Sequence, residues 1–139
     1  MARQTAGFTL LELLVVLAIV AIASATLTLS LRDSAQTRLQ SEAERLVAVL
    51  EASRADARAG NTAHHWHADE TGFEVNTLPT TGPALHSMAW LYPGTQATPP
   101  DMLISAEPVQ ARSTITLRHD SGASLKIGTD GAAAFKVLP

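Results

Sequence analysis

The sequence predicts an α+β fold in which a long N-terminal helix packs, through its second half, on a mostly antiparallel β-sheet. Three observations support this prediction. No glycine or proline occurs between Phe8 and Ala59, so nothing interrupts a helix there. After Asn61 the apolar residues alternate with polar ones instead of recurring every three or four positions. Turn signals rich in Gly, Pro, Asp and Asn then separate short alternating runs, as expected for hairpins.

The first helical segment, residues 8–31, is apolar except for one charged residue, Glu12, near its start. A polar stretch, residues 1–7, precedes it and ends in Gly7. As a helix, residues 8–31 would be about 36 Å long, enough to cross the roughly 30 Å of bilayer hydrocarbon. We therefore predict a short leader followed by a transmembrane helix. Because an ionisable group is costly inside such a segment, Glu12 requires a specific role.

Residues 32–59 are predicted to continue the helix as an amphipathic segment. Its apolar residues recur every three or four positions and form a stripe that should face the sheet. The opposite face carries charged residues and is expected to be solvated and without function. Gly60 is expected to end the helix as a left-handed cap, followed by Asn61 as a turn residue. The stripe comprises Ala35, Leu39, Ala43, Leu46, Val47 and Leu50, and the charged face comprises Arg38, Glu42, Arg45, Glu51 and Arg54.

Residues 60–139 are predicted to form a β-rich globular domain. A sheet of this size needs the helical stripe to complete its core. Two proline-bounded segments, Pro79–Pro83 and Pro93–Pro100, are predicted to be loops. The predicted strands are Thr62–Ala68, Phe73–Asn76, Leu85–Leu91, Met102–Ala106, Ser113–Arg118, Ala123–Ile127 and Ala134–Leu138.

Composition excludes several classes of function. The chain has no cysteine, which removes disulfides, thiol catalysis and cysteine-based zinc sites. Between Gly60 and Pro139 there are four basic and seven acidic residues, a net charge of −3. Nucleic-acid binding normally requires a basic cluster, so we expect no nucleic-acid partner. No nucleophile elbow or glycine-rich phosphate loop occurs, and we do not expect an enzyme.

The run from His64 to His67 is the only segment that suggests a metal site. On a strand His65 and His67 share one face, whereas His64 points to the other. Two imidazoles fall short of the three or four ligands that zinc needs, so exposed edge-strand histidines beside a buried Trp66 are the expected arrangement. Asp120, Ser121 and Asp130 fit hairpin turns better than a calcium loop. The sequence therefore predicts no metal and no cofactor.

Two readings of the N-terminus stay open on local chemistry alone. Thr9 and Glu12 have the spacing of a helix capping box, in which Glu12 would need no partner from another chain. Alternatively, Arg3 and the apolar run Leu13–Ile22 form an ordinary secretory signal peptide, cleaved near Ala23. Helix-compatible sequence continues past Ala25 without a break, however, which disfavours that cleavage.

The segment Gly7-Phe8-Thr9-Leu10-Leu11-Glu12 and the apolar run after it resemble the class III signal of type IV pilins and type II secretion pseudopilins. The resemblance implies that a prepilin peptidase cuts between Gly7 and Phe8 and that the new terminal Phe8 is methylated. It also implies that Glu12 guides subunit assembly. These roles are absent from an ordinary capping box or signal peptide.

The helix-to-sheet junction is similar to that of H-type minor pseudopilins and related minor pilins. It consists of Leu46–Gly60, the strand with Trp66, and Phe73-Glu74-Val75. The resemblance implies a minor pseudopilin of a type II secretion system, with the major and other minor pseudopilins as partners. It further implies a single-pass inner-membrane protein with a cytoplasmic N-terminus and a periplasmic C-terminal domain. A minor type IV pilin, acting in pilus assembly, adhesion or DNA uptake, is the alternative.

Overall fold

The computed structural model describes residues 10–138, with the side chains of residues 25–33 excepted. The chain forms one helix and eight strands over that range. The bounds are α1 Leu10–Gly60, β1 His64–Ala68, β2 Gly72–Thr77, β3 His86–Ala89, β4 Thr95–Thr98, β5 Asp101–Ile104, β6 Ser113–His119, β7 Ser124–Thr129 and β8 Lys136–Leu138.

The uninterrupted helix is confirmed from Leu10 onward, but its end differs from the prediction. Gly60 is still helical, and Asn61 adopts the left-handed conformation, with φ of 49°. The Asn61 N–H donates to the Arg58 carbonyl at 3.4 Å and the Thr62 N–H to the Ala57 carbonyl at 3.0 Å, the two bonds of a Schellman motif. Asparagine tolerates this conformation because its short polar side chain adds little steric strain.

The chain divides into two compact units, residues 1–34 and residues 35–139. In the described part of the first unit, the large apolar side chains from Leu10 to Ile22 are exposed. Over the residues searched, no helix is both long enough and apolar enough to cross a membrane. The predicted span Phe8–Leu31 extends beyond the described side chains at both ends, and it stays a prediction.

The second unit contains two antiparallel four-stranded sheets where the sequence suggested one. The first sheet has the strand order β3-β2-β1-β5, and the second has the order β4-β6-β7-β8. Strands β4 and β5 are consecutive but belong to different sheets, with Pro99 and Pro100 between them. The prolines lack the N–H groups that would continue a ladder, so the chain changes sheets there.

The prediction that Pro93–Pro100 is wholly a loop is therefore wrong. Its residues Thr95–Thr98 form β4 and pair with β6 in the register Thr95↔His119 to Thr98↔Thr116. The flanking prolines indicated a loop, but the residues between them form a short edge strand that is stabilised by its pairing with β6. The segment Pro79–Pro83 is a loop and is exposed, as expected.

One core joins the second half of the helix to both sheets. The helical stripe is confirmed, because Leu39, Ala43, Leu46 and Leu50 are buried and Ala35 and Val47 pack against them. Each sheet contributes large side chains to the same cluster. These include Trp66, Phe73, Val75 and Ile104 from the first sheet and Ile115, Leu117 and Ile127 from the second.

Candidate functional site

Glu12 lies in the first turn of α1 and is exposed. A carboxylate there is favoured by the positive end of the helix dipole. Gly7 and Phe8, the predicted cleavage and methylation residues, lie outside the described residues. The structure thus places Glu12 among exposed apolar side chains, where a partner from another molecule has access to it.

Glu42, predicted to lie on the solvated face of the helix, is instead fully buried. Its Oε2 accepts a 2.6 Å hydrogen bond from the Leu91 N–H, just beyond β3. Its Oε1 lies 3.1 Å from Arg45 Nη2, and the same guanidinium donates to the Ala89 carbonyl at 2.5 Å. The Arg45 guanidinium also lies 5.6 Å from the centre of the Phe73 ring. These groups offset part of the hydration that the carboxylate loses on burial, although Oε1 has the Arg45 charge beside it and no hydrogen-bond partner among the described residues.

Arg54 was likewise predicted to be solvated, and it too is buried, at 2% exposure. Its Nη2 donates to the Gly131 carbonyl at 2.6 Å and its Nη1 to the Ala133 carbonyl at 2.8 Å. Glu51 Oε1, 3.5 Å from Nη1, accepts a 2.8 Å hydrogen bond from the Phe135 N–H. Gly131 has φ of 99°, a conformation that glycine adopts without strain. This backbone conformation lets the Gly131 carbonyl of the turn accept the hydrogen bond from Arg54.

These two groups of contacts attach the helix to different sheets. Glu42 and Arg45 hold the segment after β3 of the first sheet, whereas Glu51 and Arg54 hold the turn between β7 and β8 of the second. Buried charges on fixed backbone groups specify position more strictly than apolar contacts do. We call the two groups the polar anchors of the helix.

The prediction of exposed edge-strand histidines is wrong in two respects: the strand is not at an edge, and one of the three histidines is buried. Strand β1 lies inside the first sheet, between β2 and β5, and His64 is buried, at 4% exposure. Neither ring nitrogen of His64 has a hydrogen-bond partner among the described residues. Burial lowers the pKa of His64, nearby Asp56 opposes that shift, and His86 adds to it. This histidine is therefore a core residue on the face opposite to His65 and His67.

His65 and His67 share the outer face of the sheet, as predicted, and the fold adds a carboxylate that sequence spacing could not reveal. Asp101 Oδ1, on β5, lies 3.3 Å from His65 Nε2 and 2.8 Å from His67 Nδ1. Within residues 10–138, no group of three or more His, Asp or Glu side chains is arranged to hold a metal ion. The Asp101 oxygen instead contacts a nitrogen of each ring directly.

Asp130 and Ser121, expected to belong to hairpin turns and not to a calcium loop, make hydrogen bonds within turns. Asp130 Oδ1 accepts hydrogen bonds from the Ala133 N–H at 2.8 Å and the Ala132 N–H at 3.0 Å, which lower the pKa of Asp130. Ser121 is bound to the His119 ring through both its N–H and its hydroxyl. The Asp130 oxygen thus binds the backbone of its own turn, and the Ser121 hydroxyl binds the His119 ring.

A scan against protein families matched residues 2–28 to the prokaryotic N-terminal methylation motif. No curated protein and no solved structure gave a significant match. The match covers Gly7, Phe8 and Glu12, in the segment that the sequence suggested as a prepilin signal. It does not distinguish secretion pseudopilins from pilins. The motif and the α+β fold together support a place for this chain among the type IV pilin-like proteins, with processing by a prepilin peptidase.

Proposed function

We propose that this chain is a minor pseudopilin of a type II secretion system, of the H type. The observation that carries the proposal is the methylation motif over residues 2–28, which runs into a helix whose later residues complete the core of a β domain. In this proposal the chain is a structural subunit rather than an enzyme. The force for secretion comes from a cytoplasmic ATPase.

The N-terminal helix would have two successive environments. Its exposed apolar residues between Leu10 and Ile22 require cover. The inner-membrane lipid would supply that cover before assembly, and the helices of neighbouring subunits would supply it in the periplasmic filament. The C-terminal domain would lie in the periplasm throughout.

Glu12 would act when the helix moves from the membrane lipid into the filament. We propose that its carboxylate pairs with the methylated amine of Phe8 on a neighbouring subunit. In apolar surroundings an unpaired charge is costly, so a subunit at the wrong height would be disfavoured and the pair would set the axial register.

The polar anchors fit the same role. A subunit pulled out of the membrane experiences force along its helix, and the β domain must follow. Because Glu42 and Arg54 bind backbone groups of different sheets, both sheets are attached to the helix directly. The two sheets would then move with residues 35–60 of the helix, to which they are attached.

Replacing Glu12 tests this function. We expect Glu12→Val to insert into the membrane at least as well as the unmodified chain, because a charge is removed. Incorporation into pseudopili, measured in sheared and purified filaments, should fall about tenfold or more. Ser24→Val, a polar-to-apolar change farther along the helix, is the matched control and should be incorporated normally. Full incorporation of Glu12→Val would leave Glu12 with only the capping role.

A minor type IV pilin is the second candidate, because the same motif precedes both kinds of subunit. The two are distinguished by the filament in which the chain is found. Co-purification with the major pseudopilin supports our proposal. Co-purification with surface pili, and normal secretion without the chain, would favour the pilin.

A further inference from the structure

All four basic residues of the segment 60–139 lie on one face of the second sheet. Arg118, Lys126 and Lys136 occupy β6, β7 and β8 at positions that alternate with inward-facing side chains, and Arg112 precedes β6 in the same alternation. Each of the four is exposed. Successive members of this set are 6 to 10 positions apart in sequence, and the hairpins bring them together on one side of the sheet. We call the surface formed by Arg112, Arg118, Lys126 and Lys136 the basic face.

The strand register places three of these cations, Arg118, Lys126 and Lys136, in a diagonal row. Arg118 pairs with Ser124 on β7, so Lys126 is its diagonal neighbour, and Lys126 pairs with Leu138 on β8, so Lys136 continues the row. Diagonal neighbours in a sheet lie about 7–8 Å apart. None of the four forms a salt bridge within 4.0 Å with a side chain of the described residues.

A shallow cleft of 280 Å³ interrupts this face beside Gly128. Arg112, Thr114, Asp130 and Lys136 are among the residues that line it. The Asp130 carboxylate is already engaged by backbone N–H groups, as described above. Arg112 and Lys136 also help to lower the pKa of Asp130, so these two cations already interact with one carboxylate of this chain, and Arg118 and Lys126 are the cations of the face outside the cleft.

The first sheet carries the opposite charge. His67 pairs with Glu74 on β2 and with Asp101 on β5, so the two carboxylates flank it on the outer face. Asp69 and Glu70 add two exposed carboxylates at the β1–β2 turn, and the hydrogen bonds from the hydroxyl and N–H of Thr71 and the N–H of Gly72 lower the pKa of Asp69. No lysine or arginine lies in β1, β2, β3 or β5. We call this surface the acidic face.

We propose that the basic face of one copy binds the acidic face of a second copy. A contact between two different surfaces is heterologous, so it repeats from copy to copy instead of closing into a pair. Charge complementarity gives such a contact its orientation. A nucleic acid suits the basic face less well, because the segment 60–139 has a net charge of −3 and the row carries no aromatic side chain on which bases stack.

The test uses the full chain in detergent micelles, followed by sedimentation velocity. We expect multimers at about 50 mM salt and monomers at about 500 mM, where charges are screened beyond a few ångströms. Lys126→Glu and Glu74→Lys should each be monomeric at low salt. An equimolar mixture of the two should recover dimers, because one variant keeps an intact basic face and the other an intact acidic face. Arg58 is an exposed residue of the helix and lies outside both faces. Arg58→Glu changes the net charge by the same amount as Lys126→Glu and should associate like the unmodified chain.

Three results would overturn the proposal. One is a chain that is monomeric at every salt concentration. Another is a mixture of the variants that stays monomeric, because the intact basic face of one variant would then not bind the intact acidic face of the other. The third is a chain that does not self-associate but binds a 30-base-pair DNA duplex in a salt-dependent way. If Lys126→Glu abolished that binding, a nucleic acid would be the partner of the basic face. The outcome is separate from that of the Glu12 experiment, because the two faces lie wholly in residues 35–138.

Discussion

Replacing Arg54 with alanine is expected to lower the free energy of unfolding by about 3–5 kcal/mol. Two charge-assisted hydrogen bonds, to the carbonyls of Gly131 and Ala133, would be lost, and such bonds contribute roughly 1.5–3 kcal/mol each. The pair with Glu51 adds little, since that carboxylate is 35% exposed and reaches water. Truncation also leaves a void where a buried side chain stood.

Urea unfolding of the full chain in micelles measures this change. Both tryptophans, Trp66 and Trp90, are buried in the second unit, so their fluorescence reports its unfolding. Arg54→Met loses the same two hydrogen bonds but keeps most of the volume, so its cost should be about 3 kcal/mol, at the lower end of the range for Arg54→Ala. Arg38→Ala is the matched control: its exposed guanidinium only lies 5.6 Å from the Tyr92 ring, and the loss should stay below about 1 kcal/mol. If Arg54→Ala and Arg38→Ala cost the same, the reasoning about the polar anchors is wrong.

Three further predictions concern the second unit. Burial lowers the pKa of His64, so the unfolded chain takes up a proton on this residue more readily than the folded chain does. The free energy of unfolding should therefore be highest above about pH 6.5 and should decline below it. His64→Leu should flatten that decline, as unfolding midpoints measured from pH 7.5 to 5 will show. A fragment beginning at Arg32 should be soluble and unfold cooperatively, whereas one beginning at Gly60 should aggregate because it lacks the helical stripe, as size-exclusion chromatography will show. Substitutions in the exposed loop Pro79–Pro83 should weaken binding to other minor subunits in pull-down assays without lowering the thermal midpoint, because loops commonly carry recognition.

Each of these has a control. His67→Leu changes an exposed histidine on the same strand and should leave most of the pH dependence in place. A cooperatively folding, monomeric fragment from Gly60 would refute the shared core of helix and sheets. Exchanging the N-terminal helix for that of another pseudopilin should preserve partner choice; if the choice follows the helix, recognition does not lie in the loop.

Local patterns predicted those parts of the fold that depend on neighbouring residues. The helix, its apolar stripe and seven of the eight strands follow from periodicity, because the burial of Leu39, Leu46 and Leu50 is set by their spacing on one helix face. Strand β4 was missed because its pairing with β6, some twenty residues farther along the chain, outweighs the prolines beside it.

The buried charges could not be predicted in the same way. The partners of Arg54 are backbone carbonyls 77 and 79 residues away, and the partner of Glu42 is an N–H group 49 residues away. By local pattern these residues belong on a solvated surface. Only the fold shows which distant backbone groups bind these charges, and only the fold brings Asp101 to the two outward histidines.

The basic face could not be predicted from amino-acid composition either. Four basic and seven acidic residues, averaged over the segment 60–139, predict a weakly acidic domain. The strand register instead collects Arg118, Lys126 and Lys136 on the outward face of one sheet and Glu74 and Asp101 on the outward face of the other. Net charge describes the whole domain, whereas binding depends on how the charges are arranged.

The mass of the mature chain purified from its own membranes tests the central claim most directly. If the chain is processed as a prepilin, intact-mass and N-terminal peptide analysis should find a protein that begins at Phe8 and carries one added methyl group on its amine. Gly7→Asp should block that cleavage, because the residue before the cut would gain bulk and charge. A mature chain that retains Gly7, or one that begins at Ser24 or Thr26, would contradict the account.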